Sequence, residues 1–229
     1  MKHFIDFEFL EDGETIVPIS IGIASEDFAE YYAVFSEIQT DEDLHRRISE
    51  HDFLAKHVIR HLPLVNDRRV AEQLAKAAQV ERGPYFRPNS DRYSHDGNLL
   101  DWELDLTDPE VKPKWVIANE VRKYFLDRLD HGVHDDEMDD VGEVELWANY
   151  GAYDHVCLMQ LWGPMVKRPS HLPMFTHDLQ HYAHDLGVSH KDFPKQEAAE
   201  HDALADARHD WDIWKFLDAQ RVRQLMAAD

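Results

Sequence analysis

The feature that most constrains this chain is its start, Lys2–Phe9 (KHFIDFEF), in which acids and large apolar residues alternate. Alternation with period two reads as a strand and puts Asp6 and Glu8 on one face. Ile5, Phe7 and Phe9 then take the other face. Two carboxylates on one face of a strand in a sheet are costly unless something neutralises them. A bound divalent cation does this, because hard cations take carboxylate oxygens. An edge strand with solvated acids is the alternative, and the D-x-E pair alone does not decide between them.

The segment Glu11–Gly13 (EDG) is a hairpin turn signal. It leads into a second predicted strand, Thr15–Ala24, and a third follows at Glu30–Phe35, which suggests an antiparallel meander. Asp41–Leu62 reads as helical, in one or two pieces, with Asp41 as cap and Leu62-Pro63 as the stop. Lys114–Leu129 has apolar residues near helical spacing. Val144–Asn149 reads as a short apolar strand. Helices are expected over Tyr153–Trp162, Phe175–Leu186 and Glu197–Met226. The order predicts an α/β fold with a mixed central sheet flanked by helices. The 229 residues suit one domain, with an inserted segment at about 66–113.

Within that segment, Val80–Lys112 is rich in Pro, Gly, Asn and Asp and reads as a long loop. Between Asn66 and Tyr93, six basic residues face four acids, a local excess in a chain of net charge −22. The segment is either a phosphate-attracting patch or a solvated surface insertion. Asp127–Glu145 holds nine acids and one Arg and reads as an exposed loop.

With 24 basic and 46 acidic residues, the chain repels long polyanions, which argues against wrapping nucleic acid with a broad basic face. An enzyme that grips one end of a strand stays open. The single Cys157 excludes an intrachain disulfide and a zinc ribbon. No stretch approaches the ~18 apolar residues of a membrane span, and no secretory signal is evident. The expectation is a soluble, cytoplasmic protein with no membrane partner.

Two further elements carry candidate chemistry. In Leu146–Val156 (LWANYGAYDHV) an apolar strand runs into Gly151, and Asp154 opens a helix. In Glu200–Arg208 (EHDALADAR) His201 and Asp206 are five apart, which is ~140° of separation on a helix. They converge if His201 lies in the loop before the helix and Asp206 in its early turns, with Asp202 as the cap.

D-x-E on the first strand, an Asp after a later strand and H-x4-D opening the last helix together resemble the DEDD exonucleases of the ribonuclease H-like fold. The resemblance is to the histidine-containing branch, and within it to mycobacterial 3′-5′ exoribonucleases of the RNase AS type. It is carried by IDFEFLEDGETIVPISIG, EYYAV, ELWANYGAYDHVCLMQLWGPM and HDALADAR. It implies that Asp6, Glu8, Asp154 and Asp206 hold two Mg²⁺ or Mn²⁺ ions and that His201 is the general base. It further implies that Phe9 and Leu10 lie near the terminal nucleotide, although alternation also permits Phe9 in the core. The implied substrate is the 3′ end of single-stranded RNA, with nucleoside 5′-monophosphates released, adenylate favoured and a homodimer as the assembly.

Other classes compete less well. Seven HD dipeptides invite a helical metal phosphohydrolase, which the three opening strands oppose. His177, His181 and His184 share a predicted helix face at zinc-binding spacing, but a polar surface stripe explains them too. A DNA 3′ exonuclease would use the same five residues. A non-catalytic relative is opposed by their all being present.

Overall fold

The computed structural model describes residues 1–65, 102–129, 144–196 and 199–228. The chain forms two compact units, residues 1–33 with 115–229, and residues 34–114.

The first unit is built on a hairpin. β1 (Lys2–Glu11) and β2 (Ile16–Ser25) pair antiparallel, with Asp6 opposite Gly22 and Glu8 opposite Ser20. The turn between them is closed by Asp12 Oδ1, which accepts the Glu14 and Thr15 backbone N–H groups, and by Gly13 at φ +87°. The register shifts between Glu8 and Phe9, leaving Ile19 as an extra residue on β2. Such a bulge re-aims the side chains beside it.

β3 (Glu30–Phe35) adjoins β2 and runs on into the second unit. On the other side of β1 lie β5 (Glu145–Ala148) and β6 (His177–Asp178), parallel to one another and to β1. With β4 (Val111–Lys112) the sheet order is β4-β3-β2-β1-β5-β6.

Four helices belong to this unit or enter it: α3 (Lys114–Leu126), α4 (Ala152–Gln160), α5 (Leu179–Asp185) and α6 (Ala203–Ala228). Phe4 of β1, Trp147 of β5, Leu179 and Ala183 of α5 and Ile213 and Leu217 of α6 form one buried cluster. Burying such apolar area holds α5 and α6 on the sheet. A polar network closes beneath α3. Tyr124 donates to Ala29 O at 2.9 Å, so its oxygen accepts from Ser25, which in turn accepts from His3 Nδ1. Burial pushes the His3 imidazole down to about 3, so it is neutral there.

The second unit holds α1 (Glu37–Thr40) and α2 (Glu42–Glu50). Asp41 caps α2 by accepting from Asp43 and Leu44, as its position in the sequence predicts. A short π turn, Leu54–Val58, and a 3-10 turn, Ile59–His61, follow. Trp102 and Leu104 are buried here, Trp102 donating to Ser49 Oγ at 2.7 Å. The end of β3 pairs parallel with β4.

Several expectations change in detail. Of the inserted segment, residues 66–101, with the basic stretch, lie outside the described residues, as do 130–143 of the acidic one. Residues 102–112, read as loop, contribute core side chains and a strand. The helix expected over Phe175–Leu186 starts at Leu179, because Asp178 ends β6 and caps it. His177 is therefore on a strand, and the three-histidine helical stripe does not form. The last helix starts at Ala203, later than expected.

Candidate active site

Three elements bring five acids together. Asp6 and Glu8 project from one face of β1, as alternation requires, while Ile5 and Phe7 are buried on the other. Asp154 sits in the first turn of α4 with 5% exposure, and its Oδ1 accepts the Phe7 backbone N–H at 2.8 Å. That bond places its carboxylate at the strand position between the two β1 acids.

His201 lies in the loop before α6 and Asp206 in its first turn. Asp202 caps the helix, accepting from Ala205 N–H at 2.9 Å. Asp206 Oδ2 accepts the His201 backbone N–H at 2.9 Å, and its Oδ1 accepts from Gln196 Nε2 at 2.6 Å. His201 adopts φ +69°, a left-handed conformation that few non-glycine residues take. The bond from Asp206 holds it there. Such strain concentrates at functional positions.

The approach of α6 to the sheet depends on Gly22. A Cβ at that position would lie 2.2 Å from Ala203 O and 2.4 Å from Leu204 N. The absent side chain lets the start of α6 sit directly against β2, across from Asp6. Glu8, His201 and Asp206 each then offer a donor atom within 4.8 Å of the other two.

The electrostatics are those of crowded like charges. Burial raises Asp6 well above the usual carboxylate range, and Asp154, Glu8, Asp206 and Asp210 add to the shift. Burial and then Asp206, Asp154 and Asp202 push Glu8 up to about 8. Burial pushes Asp154 to about 7 against the opposing bonds from the Phe7 N–H and its own N–H. Asp206 is also raised by burial. Asp6, Glu8, Asp154 and Asp206 offer hard oxygen donors in a buried, mutually repelling set, an environment that a divalent cation relieves.

The sequence reading missed Asp210. It is 4% exposed, sits one helical turn after Asp206, and accepts the Asn149 backbone N–H at 3.0 Å. Its i+4 spacing from Asp206 was the available signal. Phe9 is partly buried, its ring 5.6 Å from that of exposed Tyr153. Leu10 is buried, at 3% exposure.

A carboxylate cluster at the meeting of a mixed sheet and its flanking helices defines a ribonuclease H-like α/β protein with hydrolytic capacity. A family model described as the 3′-5′ exoribonuclease Rv2179c-like domain matches residues 96–217. Those residues include Asp154, His201 and Asp206; Asp6 and Glu8 precede them. Two relatives from Mycobacterium tuberculosis are each 33% identical over 208 residues, which is 91% of this chain and 88% of theirs. They are the 3′-5′ exoribonuclease MT2234.1 of strain CDC 1551 / Oshkosh and the 3′-5′ exoribonuclease Rv2179c of strain ATCC 25618 / H37Rv. The chain belongs to this family of 3′-5′ exoribonucleases, hydrolases that act on RNA. No helix among the described residues is long and apolar enough to cross a membrane.

Proposed function

We propose that this protein hydrolyses the 3′-terminal phosphodiester of single-stranded RNA and releases nucleoside 5′-monophosphates one at a time. The observation that carries the reading is the convergence of Asp6, Glu8, Asp154 and Asp206, from three elements of the first unit, with His201 beside Glu8 and Asp206. In this reading the four carboxylates hold two Mg²⁺ or Mn²⁺ ions. Two such ions supply charge neutralisation for an in-line displacement and a more acidic attacking water.

The chain's own residues do the rest. His201 takes a proton from the attacking water. The water oxygen bonds to phosphorus, the P–O3′ bond breaks, and the shortened strand leaves with its 3′ oxygen. The Asp206 bond to the His201 backbone keeps the imidazole on the side of Glu8. Phe9, beside Tyr153, contacts the terminal nucleotide, and buried Leu10 backs it. A preference for adenylate, a homodimer and a cytoplasmic location extend the reading on the family resemblance.

Product analysis tests it. Single-stranded RNAs labelled at the 5′ end and ending in A, C, G or U, and a matching DNA, are incubated with Mg²⁺ or Mn²⁺, beside Asp6→Ala. A 3′-to-5′ ladder on RNA, abolished by EDTA and by Asp6→Ala, with A-ended strands shortened fastest, is expected. A ladder mainly on DNA, or one that survives Asp6→Ala, contradicts it.

A further inference from the structure

The turn that carries the chain from β5 into α4 is held at more points than a connection needs. Tyr150, at its centre, adopts φ +58°, yet its side chain is 66% exposed and contributes little packing to hold that conformation. A non-glycine residue in that region is strained, so its surroundings must impose it. On one side, Asp210 Oδ2 accepts the Asn149 N–H at 3.0 Å, and Gln180 Nε2 donates to Asn149 Oδ1 at 2.7 Å. On the other, Asp178 Oδ2 accepts the Gly151 N–H at 2.9 Å.

Asp178 is used fully. Its Oδ1 accepts the Gln180 and His181 N–H groups at 2.8 and 3.0 Å and so caps α5, while Oδ2 reaches across to the neighbouring strand's turn. The β5–β6 register makes this possible, since Ala148 pairs with Asp178. Gly151 is fixed sterically as well, because a Cβ there would lie 2.7 Å from Ala148 Cβ. Three residues beyond Gly151, Asp154 makes its bond to Phe7 N–H.

We infer that Asp178 and Asp210 are positioning residues, which lock the Asn149–Gly151 turn and thereby aim the Asp154 carboxylate between Asp6 and Glu8. The inference rests on the proposed role of Asp154 as a metal-holding residue. Neither residue needs to touch substrate. Groups that orient metal-holding side chains typically change metal affinity or activity about 10–100-fold when lost.

Asp178→Asn separates positioning from simple stability. A carboxamide has one accepting oxygen. Kept on Gln180 and His181, it preserves two bonds and the α5 cap, and it turns an NH₂ toward the Gly151 N–H, donor against donor. The measurement is the Mn²⁺ concentration giving half-maximal thermal stabilisation, with kcat and KM on single-stranded RNA, for Asp178→Asn, Asp178→Ala and Asp154→Ala. The expected result for Asp178→Asn is a small fall in the metal-free melting temperature, from the lost Gly151 bond, an unchanged KM, and a Mn²⁺ midpoint raised roughly 10–100-fold with kcat lowered alongside. Asp178→Ala, which also loses the α5 cap, lowers the melting temperature further. Asp210→Asn, which keeps an acceptor for Asn149, is milder than Asp210→Ala. A wild-type Mn²⁺ midpoint and kcat in Asp178→Asn, with Asp154→Ala inactive, overturns this inference and leaves the metal role standing. An active Asp154→Ala with an unaltered midpoint overturns both.

Discussion

Gly22→Ala adds a single uncharged methyl group across the ladder from Asp6, and it is expected to disable the enzyme. The new Cβ would stand 2.2 Å from Ala203 O, 2.3 Å from Ala203 C and 2.4 Å from Leu204 N, whereas real Cβ contacts do not fall below 3.0 Å. All three obstacles are backbone, so no side-chain rotation relieves them. The start of α6 must therefore back away from β2 by about 0.8 Å at the least, the difference between those two distances. Asp206 lies three residues into that turn and His201 two residues before it. A misplacement of about 1 Å at a catalytic group costs on the order of 100-fold in rate. Overpacking of this kind also costs about 1–3 kcal/mol of stability. The assay is kcat/KM on single-stranded RNA together with thermal unfolding followed by circular dichroism. Gly13→Ala is the control: its Cβ meets nothing within 4 Å, and the strain at φ +87° is confined to the hairpin turn. It loses stability and keeps its rate. A Gly22→Ala enzyme with wild-type melting and wild-type kcat/KM would refute the close approach as the device that seats Asp206.

Other outcomes follow from the same geometry. Without metal, folded Glu8 and Asp154 keep protons up to about 8 and about 7, where the unfolded chain has lost them, so stability falls as pH rises toward 8. His3, lowered to about 3, works in the opposite sense but below its ordinary 6.5. Between pH 6.5 and 8 the melting temperature in EDTA is therefore expected to fall, and Mn²⁺ to restore it most at pH 8; a flat or rising profile in EDTA contradicts this. His201→Ala is expected to lower kcat about 10²–10⁴-fold while Mn²⁺ still raises the melting temperature, as befits a proton acceptor. Loss of that thermal response would make His201 a metal ligand instead. Tyr124→Phe leaves the buried Ser25 hydroxyl without its acceptor and is expected to cost about 1–3 kcal/mol in denaturant unfolding, with kcat unchanged.

Much of the site was legible in the sequence because its acids obey local periodicity. Asp6 and Glu8 share a face through strand alternation, and His201 and Asp206 converge because Asp202 starts α6 between them. Those relations need no knowledge of the rest of the chain. The elements that were missed are set by distant partners. β6 is two residues long and exists because β5 lies beside it, so nothing local distinguishes it from the first turn of a helix. Asp178 and Asp210 look like ordinary helical or capping acids until the Asn149–Gly151 turn is placed against them. The register shift beside Phe9 comes from an extra residue on the partner strand, which the sequence of β1 cannot reveal. The burial of Trp102 and Leu104 was likewise hidden, since they lie at the end of a Pro- and Gly-rich stretch that carries no periodic signal.

The claim at the centre of this account is that the acids of β1, α4 and α6 act as one metal site that drives hydrolysis at the RNA 3′ end. Titration calorimetry of the metal-free protein with Mn²⁺, with RNA shortening followed at each point of the titration, tests it directly. Binding of two ions per chain, activity that rises with occupancy, and loss of both in Asp6→Ala and Asp154→Ala is the result expected. RNA shortening that persists in metal-free protein, or Mn²⁺ binding that Asp6→Ala and Asp154→Ala leave intact, would contradict it.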